Sequence, residues 1–201
     1  MPAGPVLSEI EKERISKQLQ ELCKKYWIIK GYKKTSIKEF CEDAGISIGT
    51  FYNLYPAKED LFFVTIDAIQ RRVEEQIFAI VQNSPTMNGF ASAIKAVARE
   101  FDNMPFLYEA NTPDFLSFVT KLSEETMEKL KGDRINFLRK FIQKANLELS
   151  VSEQKAQGII SALLSTIYAK ETISTACNYF TVFDFMVDSL IPNIFKQEEE
   201  K

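Results

Sequence analysis

The sequence predicts an all-α protein: a small three-helix head at the N-terminus, then a longer helical domain. Three observations lead there. In 201 residues there are 7 Gly and 7 Pro, few turn formers for a many-stranded β fold. Apolar residues recur at three- and four-residue spacing along most of the chain, and no stretch alternates with period two for long enough to make a strand. Capping residues stand before many of these periodic segments. With 45% apolar residues and 16 Phe, the chain can also bury a sizeable core.

The elements follow in order. Residues 8–30 read as a helix: Ser8 and Glu11 form a capping box, Ile15, Leu19, Leu22 and Tyr26 make one stripe, and Gly31 ends it. Thr35 can cap a second short helix over 36–43 that buries Ile37, Phe40 and Cys41. Ala44-Gly45 stops it, and Ser47 caps a third helix over 48–53, closed by Pro56. A long helix over 57–81 carries Ile66, Ile69, Val73, Ile77 and Ile80 on one face, and Asn83-Ser84-Pro85 breaks it. Further helical segments are expected at 87–103, near 106–109, from Thr112-Pro113 to about 122, and over 124–147 with fraying at Gly132. The last two run from after Ser152 to about 172 and over 181–195, and only the tail 198–201 reads as disordered.

Composition excludes much chemistry. The chain has no His, which removes Ser-His-Asp and Cys-His catalysis and every His-containing metal site. Cys23, Cys41 and Cys177 are too few and too scattered for a zinc site or a disulfide framework, and a reducing cytoplasm is the simplest compartment. No nucleotide-binding Gly loop and no clustered acid pair is visible, so a helical enzyme is not expected, and no catalytic residue, metal or cofactor is assigned. The longest apolar run, Ile77 to Val81, is five residues, so no membrane partner is expected, and residues 1–6 show no secretory signal.

The charge is uneven. The chain carries a formal net charge of −3, yet residues 24–58 hold seven Lys against three acids. A short basic segment on an otherwise acidic protein suits a small nucleic-acid-reading head, or else a plain solvated face. Inside that segment, TSIKEFCEDAGISIGTFYNLYPAK has the parts of a helix-turn-helix: Cys41 as the small residue where two helices cross, Gly45 as the turn and Ser47 as the cap. Ile46, Ile48 and Phe51 lock the second helix on the first, and Ser47, Thr50, Tyr52 and Asn53 are left facing out. Gly49 leaves its side of that helix without a Cβ, so backbone can approach DNA closely. Between Ser47 and Tyr55 there is no Lys or Arg, so the bidentate pair to guanine is missing and Asn53 alone could contact adenine in that way. Residues 1–7 lack Lys and Arg and make a poor minor-groove arm. Lys33, Lys34, Lys38 and Lys58 are the candidate phosphate contacts.

The run TSIKEFCEDAGISIGTFYNLYPAKEDL, with GYKKTS before it, resembles the DNA-binding signature of the tetracycline-repressor (TetR) family of transcriptional regulators over roughly residues 10–65. The resemblance implies a DNA-binding domain at 1–56 and a helical ligand-binding and dimerisation domain at 57–201. It also implies a homodimer on a palindromic operator in double-stranded DNA. By resemblance, Thr35 and Ser36 would bond a phosphate, and Gly49 and Thr50 would lie against the groove. Tyr52 and Tyr55 would touch the DNA backbone, and Lys58 would pair with a phosphate; Ser47, Ile48 and Asn53 complete the DNA-facing set. The function expected is a ligand-responsive repressor released by a hydrophobic small molecule. The alternative is a family member controlled by a protein partner or by no small molecule.

In the C-terminal domain Phe101, Tyr108, Phe115, Phe118, Phe137, Phe141 and Tyr168 are the candidate lining of an apolar effector cavity, although each taken alone also suits a core. The helix over 181–195 reads as apolar on nearly every side, and that over 153–172 carries an apolar surface wider than one face needs. Such surfaces call for cover from another subunit, or else make these helices the core of a monomeric body. Ile160, Leu163, Leu164 and Ile167, with Phe183, Met186, Val187, Leu190 and Ile194, are the expected dimer contacts.

Overall fold

The computed structural model describes residues 7–107 and 112–196, with the backbone alone for 131–136. Tyr108, residues 1–6 and the tail 198–201 lie outside the described residues. The helices are α1 (Glu9–Lys30), α2 (Ile37–Ala44), α3 (Ile48–Leu54), α4 (Lys58–Asn83), α5 (Met87–Asn103), α6 (Pro113–Val119), α7 (Glu124–Lys144), α8 (Glu153–Ser165), α9 (Lys170–Ser174) and α10 (Tyr179–Leu190). Among the described residues no strand forms, only an isolated antiparallel bridge between Leu149 and Phe195. The all-α expectation holds.

Packing gathers the chain into two compact units, residues 1–69 with 106–124 and residues 70–105 with 125–201. Residues 57–69 and 106–124 therefore pack with the head.

In the first unit α1 buries Ile15, Leu19, Cys23 and Trp27, a line at i, i+4, i+8 and i+12, while the expected Leu22 and Tyr26 are half-buried. The Trp27 ring lies at the centre. It stacks on Phe106 with centroids 4.4 Å apart, and lies 4.7 Å from Phe62, 5.2 Å from Phe118 and 6.3 Å from Phe115. Such aromatic pairs contribute ~0.5–1.5 kcal/mol each beyond the area they bury. Burial also pushes the Cys23 thiol up to about 12, so it stays an unreactive hydrophobe.

Local signals set the turns. Capping boxes start α1 (Ser8 with Glu11) and α2 (Ser36 with Glu39). The cap of α2 is thus Ser36 and not Thr35, whose hydroxyl turns inward to donate to the Gly31 carbonyl at 2.8 Å. Gly45 closes α2 in the left-handed conformation, φ 67°. The Cys41 thiol sits 3.8 Å from the Ser47 carbonyl at the helix crossing. At the end of α1, Gly31 has φ 78°, and the next two backbone N–H groups, of Tyr32 and Lys33, donate to the Asp114 carboxylate at 2.6 and 2.9 Å. Asp114 stands in the first turn of α6, which Thr112 caps and Pro113 opens as expected.

In the second unit α5 packs against α8 and α10. It buries Phe90, Ala93, Ile94, Val97 and Ala98, and Phe90 stacks on Phe141 at 4.3 Å. Two ion pairs join α5 to α10, Lys95 to Asp188 at 2.6 Å and Arg99 to Asp184 at 2.8 Å. The helix expected to reach 172 ends at Ser165, because the Thr166 hydroxyl bonds back to the Leu163 carbonyl and a tighter turn follows. The last helix starts earlier than expected, capped by Asn178, and stops before Pro192. α7 ends ahead of Asn146, which has φ 52°.

A Cβ on Gly31 would lie 2.7–2.9 Å from the Asp114 carboxylate, on a backbone that disfavours any other residue. Gly31→Ala is expected to lower the unfolding free energy by more than ~1 kcal/mol. In a denaturation cycle with Asp114→Ala, the combined loss should be smaller than the sum, because the clash disappears with the carboxylate. Strict additivity would show that the two residues do not meet.

Candidate nucleic-acid interface

The outward side of the helix-turn-helix is built on α3. Its cap Ser47 accepts from the Thr50 N–H at 3.0 Å and shares a 2.9 Å hydrogen bond with the Thr50 hydroxyl. Phe51 is fully buried and stacks parallel to Phe40, with centroids 6.4 Å apart, which fixes how α3 lies on α2. Ile48, Gly49, Tyr52 and Asn53 are exposed, and the Tyr52 ring meets Phe51 edge-on at 5.8 Å. Ile48 is 51% exposed, so it is not part of the lock; Phe51 and the half-buried Ile46 hold that role. A Cβ on Gly49 would meet nothing closer than the Ser47 hydroxyl at 3.6 Å, so packing within the chain does not require glycine there.

Three of the expected DNA contacts are engaged within the head. Thr35 is only 3% exposed, with its hydroxyl held by Gly31. Tyr55 is only 5% exposed; its phenol oxygen is hydrogen-bonded to the Ser16 hydroxyl and accepts from the Gln20 amide at 3.3 Å. Lys58 turns its ammonium into the head, donating to the carbonyls of Tyr32 at 2.8 Å and Thr35 at 2.9 Å and lying 3.8 Å from the centre of the Tyr32 ring. Burial pulls its pKa below the ordinary lysine value. The same residue types that bind phosphate can satisfy a turn, and here three of them do.

The other expected phosphate contacts of the head lie at its surface. Lys33, Lys34 and Lys38 are exposed, Lys38 with Glu42 3.6 Å away. Ser36 is exposed, with its hydroxyl and backbone N–H bonded to Glu39. Lys30 beside Glu39, aided by the Ser36 N–H, holds that carboxyl down at about 2.

The residues expected to line an effector cavity divide between the two units. Phe115 and Phe118 pack around Trp27 in the first. Phe137 and Phe141 belong to the second, where Phe137 stacks with Phe78 at 6.2 Å and Phe141 with Phe90. Phe101 is half-buried, Tyr168 is exposed and Tyr108 lies outside the described residues. The expected dimer contacts divide by their burial within one chain. Ile160, Leu163, Ile167, Phe183, Val187 and Ile194 are already buried within a single chain, since α8 and α10 pack on each other and on α5. Leu164 and Met186 are half-buried and Leu190 is exposed. Sequence reasoning passed over Asp114, which reads only as an acid in a first turn.

Lys58→Met keeps the aliphatic stem but leaves the Tyr32 and Thr35 carbonyls unpaired. It is expected to lower stability by ~1–3 kcal/mol while leaving the salt dependence of DNA binding unchanged. A salt slope lower by ~1 with unchanged thermal unfolding would instead place Lys58 on a phosphate.

Comparison with known proteins agrees with this geometry. Residues 25–65 match the family model for bacterial regulatory proteins of the tetR family. No curated protein sequence matches the chain. Among solved structures, a transcriptional regulator FadR from Bacillus subtilis, in complex with stearoyl-CoA, superposes with a TM-score of 0.65 at 14% identity, covering 89% of this chain and 98% of that one. A TetR-family regulator from Agrobacterium tumefaciens gives 0.61 at 15% identity, over 92% of this chain and 100% of that one. NalD, the secondary repressor of the MexAB-OprM multidrug efflux pump in Pseudomonas aeruginosa, gives 0.58 at 13% identity, over 94% and 100%. These likenesses show a shared fold. Residues 25–65 thus carry the helix-turn-helix domain of the bacterial regulatory proteins of the tetR family, on a fold shared with these regulators.

Proposed function

We propose that this chain is a transcriptional regulator of the TetR family, a repressor that binds a palindromic operator as a homodimer and is released by a hydrophobic small molecule. Residues 1–56 read the DNA, and 57–201 bind the effector and join the subunits. The observation that carries the DNA-binding part is the outward side of α3, where Ile48, Gly49, Tyr52 and Asn53 are exposed on a helix locked from behind by Phe51. Glycine inside a helix costs about 0.5–1 kcal/mol relative to alanine. Gly49 has no partner in the chain that needs the space. Close approach of a DNA backbone supplies the reason for it.

Phosphate contacts come from Lys33, Lys34, Lys38 and Ser36, together with the polar atoms of Ser47, Thr50 and Tyr52. One head makes a small interface, and two heads on half-sites about one helical turn apart, ~34–36 Å, double it. The contact between subunits is supported by the open side of the second unit. Phe185 is 72% exposed there, Leu190 is exposed, and Leu164 and Met186 are half-buried. On α8, Gly158, Ser161, Ala162 and Ser165 form an exposed stripe of small residues that lets a partner helix approach.

Control by an effector is supported by two features. α4 is one uninterrupted helix whose first half packs in the head unit and whose second half packs in the other. The segment 106–124 is part of the head's own core, and through Asp114 it holds the turn that carries Lys33 and Lys34. An effector that shifts either element alters the head, and to release the operator it must bind the released state better by ~1–3 kcal/mol. The FadR structure holds stearoyl-CoA, a ligand with a long apolar chain, within a related fold.

Gly49→Ala tests the reading with opposite signs. Thermal unfolding should show a head more stable by ~0.5–1 kcal/mol, and gel-shift or anisotropy titration with a selected operator duplex should show weaker binding. Loss of stability, or unchanged DNA affinity, would remove the close approach at this residue and with it the proposed docking of α3.

A further inference from the structure

With Thr35, Tyr55 and Lys58 turned inward, the side chains free to read bases form a short roll. At about 100° per residue, Ile48, Tyr52, Gly49 and Asn53 fall in that angular order on an arc of about 140°, and Thr50, Leu54 and Phe51 fill the opposite side. The burial pattern follows the same division: the four are exposed, Phe51 is buried, and Thr50 and Leu54 are half-buried. The Ser47 and Thr50 hydroxyls are hydrogen-bonded to each other, and among the described residues neither Tyr52 nor Asn53 has a side-chain hydrogen bond within the head. No residue from 47 to 55 carries a charge. The arc therefore offers one branched aliphatic side chain, one phenol and one carboxamide.

Ile48 is the unusual member. It is apolar and 51% exposed. A bare aliphatic group on an uncharged, exposed helix face has an obvious counterpart in the major groove. The only apolar group on the base edges there is the C5-methyl of thymine. We infer that Ile48 is a specificity-determining residue that reads a thymine methyl, so that the half-site is chosen through A·T pairs and without a side-chain grip on guanine. This inference rests on the DNA-binding reading above and names the bases that the same site takes. Gly49, between Ile48 and Asn53 on the arc, leaves room for the two side chains to reach neighbouring base pairs.

The test uses the full chain and a pool of random duplex DNA. After the preferred half-site has been selected, each thymine in it is replaced singly by deoxyuridine, which removes the methyl and nothing else. The wild type should lose about fourfold in affinity per half-site at one thymine, the effect of one buried methyl-sized group. Ile48→Ala should bind thymine and uracil duplexes equally, at the lower level, with unchanged thermal unfolding because the side chain is exposed. Ile48→Arg should move the selected base at that position to guanine. A wild type with no uracil-sensitive thymine, or a uracil penalty that persists in Ile48→Ala, overturns the inference and leaves the DNA-binding reading standing. Failure of the wild type to enrich any duplex overturns both.

Discussion

The stacking of Trp27 on Phe106 is the contact on which the head depends. A helix-turn-helix of some 50–60 residues buries too little surface to be secure alone. Here the shortage is met from further along the chain. Phe106, Phe115 and Phe118 close over the indole from one side, and Phe62 from another. The Asp114 carboxylate, brought in by the same segment, accepts from the N–H groups of Tyr32 and Lys33 in the turn that follows α1. The reading helix then rests on this core through Phe51 on Phe40 and Phe40 on Phe62. A displacement of residues 106–124 is thus felt within the head's own core, with no need for a remote relay.

The same economy of partners defines the surface. The turn between α1 and α2 exposes carbonyls that Lys58 satisfies, and Thr35 and Tyr55 hold their hydroxyls against α1. Groups engaged in this way hold the turn and the helix ends of the head together. Exposed in the head are the uncharged residues Ile48, Gly49, Tyr52 and Asn53 of α3 and the lysines Lys33, Lys34 and Lys38.

Much of this was legible where the signal was local. The Ser8–Glu11 box, Gly45, the Ser47 cap and Thr112-Pro113 each act through hydrogen bonds or dihedral angles within a few residues, and each stands where it was expected. Signals that depend on a distant partner were not legible. The apolar line of α1 falls on Cys23 and Trp27 because their cover comes from α4 and from residues 106–118, which periodicity within α1 cannot show. Ile160, Leu163 and Phe183 look alike in sequence whether a second subunit or the chain's own α5 covers them. For Lys58 and Tyr55 a phosphate and an internal acceptor call for the same residue type, so only coordinates separate the two.

The central claim is that residues 106–124 complete the head. Amide hydrogen exchange on the full chain tests it most directly, with Trp27→Leu as the perturbation. If the claim is right, the amides of α6, of Tyr32 and Lys33 and of the middle of α1 exchange with one common opening free energy, and Trp27→Leu lowers all of them alike. If α6 exchanges far faster than α1, and Trp27→Leu lowers protection in α1 without changing it in α6 or at Tyr32 and Lys33, then the segment only rests on the head and the claim is wrong.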